Sequence, residues 1–234
     1  MNVGIMLPLF RNTTRDAVAA AHEAEAAGLH GVFAYDHLWP IGKRNLPALA
    51  PFAVLARVLA ETSSLIVGPL VARVGLVPDD VLLSQFLSLQ ALGSGRVVAP
   101  LGLGDGLSEA ENEAYGLLRA PIEERRERLV GLLEELQRHD LPTWVGGSGP
   151  KTVAIARAQG AAVNLWSTQV EKVASLAEGG EVTWAGDLPN DEDEMATLLD
   201  ELAEAGASWV VGTYSTNAAV LGAIARPRPW FSSR

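Results

Sequence analysis

The sequence predicts an α/β protein, a closed (β/α)8 or TIM barrel with short loops, built as one domain over residues 1–234. Three observations carry this. Short β-rich apolar runs alternate with helical stretches along the whole chain. The runs are apolar nearly throughout, as parallel strands covered on both faces must be. Eight strand starts recur at a mean step of about 29 residues, the length of one βα unit. Such barrels take about 250 residues, so 234 residues leave little for lids. An open doubly wound sheet is the alternative, and the count of eight units favours the barrel.

In chain order, the apolar runs predict strands at 2–7, 31–35, 65–71, 96–103, 142–146, 162–166, 181–184 and 207–212. Helical periodicity predicts helices at 13–27, 49–62, 79–92, 122–139, 150–159, 169–178, 191–205 and 215–226. Thr13/Thr14 and Asp79/Asp80 suit N-caps, and Gly28 and Gly206 suit the residue just past a helix end. Pro100 conflicts with its strand, because proline cannot donate to a ladder, and it predicts a bulge or break there. Trp184, Trp209, Trp230 and Phe231 read as packing residues, and the acidic stretch Asp187–Asp200 reads as a solvated, dipole-favourable helix start.

Composition excludes several function classes. Hydrophobic residues make up 48% and charged residues 20% of the chain, a globular balance. The formal charge is −10, which argues against nucleic-acid binding, since that needs a concentrated basic face. No basic run points to a membrane surface, no apolar run reaches the roughly 18 residues of a membrane span, and MNVGIMLPLF reads as a strand rather than a signal peptide. The chain has no cysteine, which excludes disulfides, thiolate metal sites and a cysteine nucleophile and is compatible with a cytoplasmic location. No metal site is expected.

In a barrel, chemistry collects where strands end. Strand 2 ends in Asp36-His37, where a carboxylate beside an imidazole either tunes a proton donor or acceptor, or caps the following turn with an incidental histidine. His22, His30 and His139 read as solvated or dipole-satisfying. Strand 4 runs into Gly102-Leu103-Gly104-Asp105-Gly106, which lacks the dinucleotide spacing, and no helix is expected to open on it. Glu109, Glu111 and Glu113 beyond it read as a solvated helix face. Strand 5 runs into Gly146-Gly147-Ser148-Gly149-Pro150-Lys151. Small residues followed by proline at a helix start make an anion nest, and a phosphate is the ligand it suits.

Together these residues resemble the luciferase-like monooxygenase superfamily, the flavin- and F420-dependent barrels. Four blocks carry the resemblance: Val3-Gly4-Ile5 with Ala24-Glu25-Ala26-Ala27-Gly28; Val32 to Pro40; Ile66 through Gly68-Pro69-Leu70-Val71 and Pro78 to Gly93-Ser94-Gly95-Arg96 and the Gly102–Gly106 loop; and Trp144 to Lys151. The match covers residues 3–165 and fades beyond 166. It implies an oxidoreductase transferring hydride between a (deaza)flavin and a small organic substrate. The phosphate would lie on Gly146, Gly147, Ser148, Gly149 and Pro150, and the ring near Gly68, Pro69, Leu70, Val71, Gly102 and Gly104. His37 would sit at the reaction centre beside Asp36. Asp105 stands where the F420 branch has a glutamate that moves a proton. Relatives hold a cis peptide within the segment matching Gly68–Val71, so an unusual peptide or bulge is expected there.

The Asp-His pair tilts the resemblance towards F420, with FMN as the alternative cofactor. A flavin-binding protein without turnover, and an unrelated barrel binding a phosphorylated metabolite, are competing readings. Only residues 104–141 separate strands 4 and 5, and 167–180 is equally spare, where relatives carry insertions that roof the substrate site. The resemblance also implies a homodimer, expected through helices 2 and 3, with Phe52, Leu55, Leu59, Leu82, Phe86 and Leu89 on the outer faces.

Overall fold

The computed structural model describes residues 1–225 except Ile41, Asn45 and Asp105, and except the side chain of Leu107. Apolar runs become the strands β1 (Asn2–Met6), β2 (Gly31–Ala34), β3 (Ile66–Pro69), β4 (Ala72–Arg73), β5 (Ala99–Gly102), β6 (Thr143–Gly146), β7 (Ala162–Trp166), β8 (Val182–Gly186) and β9 (Ala207–Gly212). Every ladder is parallel, in the order β3-β2-β1-β9-β8-β7-β6-β5-β4. A bridge from Val67 to Val97 joins β3 to the segment leading into β5, so the two ends of that order meet. The sheet is a closed barrel of eight strand positions, the third shared by β3 and β4.

Pro100 shows why the third position is split. Val98 N–H donates towards Val67 and Ala99 N–H towards Pro142 on the other side. Alternation therefore turns the missing donor of Pro100 towards β3, where the ladder is interrupted. The backbones also approach closely there: a Cβ on Gly68 would lie 2.8 Å from the Val98 carbonyl oxygen and 3.1 Å from Pro100 Cδ. The predicted strand 96–103 accordingly narrows to Ala99–Gly102, and 65–71 divides at Leu70.

The helices are α1 (Arg15–Ala27), α2 (Pro51–Glu61), α3 (Asp79–Gly93), α4 (Glu109–Ala114), α5 (Ile122–Arg138), α6 (Pro150–Ala158), α7 (Val170–Ala177), α8 (Glu192–Glu204) and α9 (Ala218–Ala225), with a 3-10 turn at Gly106–Ser108. The turn and α4 open directly from the Gly102–Gly106 loop, where none was expected. Gly28 ends α1 in the left-handed region at φ 78°. Asp79 and Asp80 lie in the first turn of α3 rather than at its cap, which is Pro78; Asp79 instead pairs with Arg128 at 2.7 Å. Thr14 holds the cap position of α1 without a capping bond, and its hydroxyl accepts from Arg57 at 2.6 Å. Asp191 caps α8 through the N–H groups of Asp193 and Glu194. The last helix begins later than predicted because Asn217 accepts from Ala219 and Val220 N–H and sets the start.

Two layers form the core. One lies between strands and helices, from Val3 and Ile5 round to Val210 and Leu221. The other fills the barrel, where Phe33, Trp144 and Trp209 meet with ring centroids 5.3–5.7 Å apart. Trp184 is also buried, so both described tryptophans of the packing set pack; Trp230 and Phe231 lie outside the described residues. The resemblance blocks have structural tasks. Burial would push the Glu25 carboxyl up, but the N–H and hydroxyl groups of Ser63 and Ser64 donate to it and hold it at about 2, tying α1 to the turn before β3. Arg96 donates to the carbonyls of Leu59 and Leu65 and locks the end of α2 to β3.

Candidate active site at the strand ends

A cavity of about 550 Å³ opens at the C-terminal ends of the strands. The sequence predicts a site there, and Asp36, His37, Leu70, Val71, Gly104, Gly146, Gly147 and Ser148 do line it. Gly68 and Pro69 are buried in β3 below it, and Gly149 and Pro150 start α6 beside it without lining it. Asp105 lies outside the described residues.

The floor is set by the end of strand 3. The Leu70–Val71 peptide is cis, two peptide bonds beyond the Gly68–Pro69 bond. Val71 then projects against the ends of β5 and β6. A Cβ on Gly102 would run into Val71 Cγ2, and one on Gly146 would lie 3.0 Å from Val71 Cγ1. Gly102 therefore makes room for the bulge and does not itself line the cavity. Gly104 does, at φ 65°, and its loop is pinned from α5: Arg125, buried, donates to the Leu103 and Gly104 carbonyls.

At strand 5, Gly147 takes φ 129° and its N–H donates to the Asn164 carbonyl at 3.0 Å. That amide is spent, so the nest reduces to Ser148, Gly149 and the first turn of α6, whose N–H groups have no intrahelical acceptors. Lys151 does not serve it; its ammonium pairs with Glu123 at 2.9 Å on the surface.

The Asp36-His37 pair is not a couple. Asp36 accepts the Arg73 N–H at 2.9 Å across the split in strand 3. Burial pushes its carboxyl up, with the backbone N–H and charge of Arg73 opposing. The His37 ring bonds instead to Glu111: its Nδ1 lies 3.1 and 3.2 Å from the two carboxylate oxygens. Glu111 is 2% exposed and its Oε2 also touches Arg73 Nη2. The expectation that Glu109, Glu111 and Glu113 form a solvated face thus holds for Glu109 and Glu113 and fails for Glu111. Among the described residues, Arg73 Nε and Nη1 have no hydrogen-bond partner.

The opposite wall is aromatic and was not anticipated. Phe10 stacks on Tyr35 at 5.5 Å, Trp166 meets Tyr35 edge-on at 5.9 Å, and Tyr214 stands at the rim. Burial, reinforced by Asp187 and Tyr214, pushes the Tyr35 hydroxyl up, so it stays a neutral donor. Asn164, 3% exposed, donates to Thr183 and closes the cavity from β7. No helix among the described residues is long and apolar enough to cross a membrane.

Comparison with known proteins bears on the family and the fold. The family model for luciferase-like monooxygenases matches residues 1–207. The chain is 29% identical over 182 residues to an F420-dependent hydroxymycolic acid dehydrogenase of Mycobacterium tuberculosis, covering 66% of this chain and 49% of that one. It therefore spans about half the length of that curated relative. Among solved structures, an F420-dependent secondary alcohol dehydrogenase with an F420-acetone adduct superposes with TM-score 0.80 at 14% identity, over 95% of this chain and 97% of that one. The F420-dependent tetrahydromethanopterin reductase of Methanopyrus kandleri gives TM-score 0.71 at 13% identity, over 95% and 98%. At such identities the structural likeness speaks for the fold. A match running through β1 to the first residue of β9 speaks for more: the chain belongs to the luciferase-like monooxygenase family.

Proposed function

We propose that this luciferase-like oxidoreductase uses coenzyme F420 and interconverts a small alcohol and its carbonyl compound in the cytoplasm. The observation that carries the reading is one cavity that joins His37, backed by a buried carboxylate, to the Leu70–Val71 bulge and the Gly146–Ser148 turn that leads into α6. The residues present fit the coenzyme. Its phosphate suits Ser148, Gly149 and the α6 N-terminus, and a flat ring suits the small-residue floor at Val71 and Gly104. When bound, the deazaflavin supplies a two-electron hydride acceptor or donor. His37 is the group placed to hold a proton at the substrate oxygen. The curated relative matched in sequence, an F420-dependent dehydrogenase, supports this chemistry.

FMN as cofactor, or (deaza)flavin binding without turnover, is the second reading. It is favoured by the open rim, where Trp166 is 44% and Tyr214 50% exposed. The partner proposed is a second copy of the chain, across α2 and α3. Leu55, Leu59, Leu82, Phe86 and Leu89 cannot form that face, because all are buried on the barrel. Its exposed residues include Asp80, Val81, Ser84, Ser88 and Leu92, with half-buried Phe52 and Ala56.

The test is hydride transfer from a panel of secondary alcohols to F420, run with Ser148→Asp alongside. A like charge in the nest sets charge-assisted contacts of about 1.5–3 kcal/mol each at risk, so coenzyme affinity is expected to fall about tenfold or more. Thermal stability without coenzyme should not move. Unaltered affinity in that variant would remove the phosphate from this loop, and no turnover with any alcohol would leave the non-catalytic reading.

A further inference from the structure

We infer that Glu111 is a positioning residue, charge-balanced by Arg73, that holds the His37 proton on Nδ1 and, in the neutral form of the ring, leaves Nε2 as a bare acceptor for the cavity. Burial makes the case. Glu111 is 2% and the Arg73 side chain 6% exposed, and a carboxylate so enclosed requires a counter-charge. The guanidinium against Oε2 supplies it. A carboxylate only accepts hydrogen bonds. Both its oxygens lie within 3.2 Å of one ring nitrogen, so that nitrogen carries the hydrogen. The neutral imidazole has only one such hydrogen, and Nε2 is left with its lone pair. Among the described residues nothing bonds to Nε2, while the ring lines the cavity and is 21% exposed.

The three groups come from separate elements: His37 follows β2, Arg73 closes β4 and Glu111 lies in α4. The arrangement is therefore a product of the fold. Asp36, adjacent in sequence, is engaged by the Arg73 N–H, and the hydrogen bonds of His37 Nδ1 go to Glu111. The ligand class that follows is a hydroxyl donor, an alcohol O–H rather than a pure acceptor, for the resting enzyme. This last step rests on the proposed function; the tautomer does not.

The experiment is two-bond proton–nitrogen correlation NMR on the full chain labelled with ¹⁵N-histidine, without coenzyme, at alkaline pH. His37→Ala identifies the His37 signals among the four histidines. The expected result is a protonated Nδ1 and a pyridine-like Nε2, favoured about tenfold or more, as a charge-assisted bond warrants. Glu111→Leu, which removes every acceptor from that position, should collapse the preference towards the Nε2–H form that a free histidine side chain prefers. Because that variant leaves Arg73 buried without its counter-charge, the double variant Glu111→Leu/Arg73→Met is measured too and should show the same collapse in a folded protein. A wild-type His37 protonated on Nε2, or a tautomer unmoved in both variants, overturns the inference. Neither outcome depends on which coenzyme the chain binds.

Discussion

Asp36 and Glu111 are two acids beside one histidine, and their neighbours give them different tasks. Only one was visible in the sequence. Asp36-His37 is a dipeptide, and its adjacency drew attention to the wrong partner. Glu111 reads as solvated in the sequence because α4 is six residues long, too short for periodicity to separate its buried face from its solvated one. Arg73 carried a readable signal, a lone arginine two residues beyond an apolar strand segment, that went unused. Asp36 yields a pH prediction. Its folded pKa is raised above the usual value of 3.8 by burial, so its contribution to stability is fully present below that value and is lost as pH rises through the folded pKa. Asp36→Asn keeps an acceptor for the Arg73 N–H and removes the charge. The variant's melting temperature relative to wild type should therefore rise between pH 3 and pH 7. A difference that is flat or falls over that range would show that the carboxylate is stabilised by its surroundings.

At the level of elements, strand 3 and its neighbours were legible in outline and not in detail. Gly68-Pro69 and Pro100 marked a break, and the structure puts one between Pro69 and Ala72. What sequence could not supply is the cross-strand distance that makes Gly102 a receptor for Val71. It follows that Gly102→Ala overpacks the floor. Overpacking costs about 1–3 kcal/mol, and each kcal/mol lowers the melting temperature by about 2–4 °C in a chain of this size. Val71→Ala added to that variant removes the clashing methyls and should restore most of the loss. Calorimetry on the four proteins of the cycle checks it; simple additivity of the two changes would mean that the residues do not touch in solution. The Gly146–Lys151 turn was read as a nest of converging amides, and the Asn164 carbonyl corrects it by taking one of them, a contact 17 residues away in sequence that no local pattern records.

For the whole molecule, the barrel was legible because a βα repeat imposes its own period, and even the weak strands at 162–166 and 181–184 found their ladders in β7 and β8. The outer faces were less so: apolar residues on α2 and α3 satisfy the barrel first, and only what is left over can meet a second copy. Leu92, 58% exposed, and Val81, 45% exposed, are that remainder. Light scattering at micromolar concentration should give a dimer mass, reduced towards the monomer by Leu92→Glu; a monomer in the wild type contradicts the proposed partner. The central claim is that the cavity at the strand ends is a coenzyme F420 site. It is tested most directly by equilibrium titration of the purified chain with F420 and, separately, with FMN, followed by ligand fluorescence. The account predicts saturable binding of F420, at least about tenfold tighter than FMN, a difference of about 1.4 kcal/mol; saturable binding of FMN alone, or of neither, would contradict it.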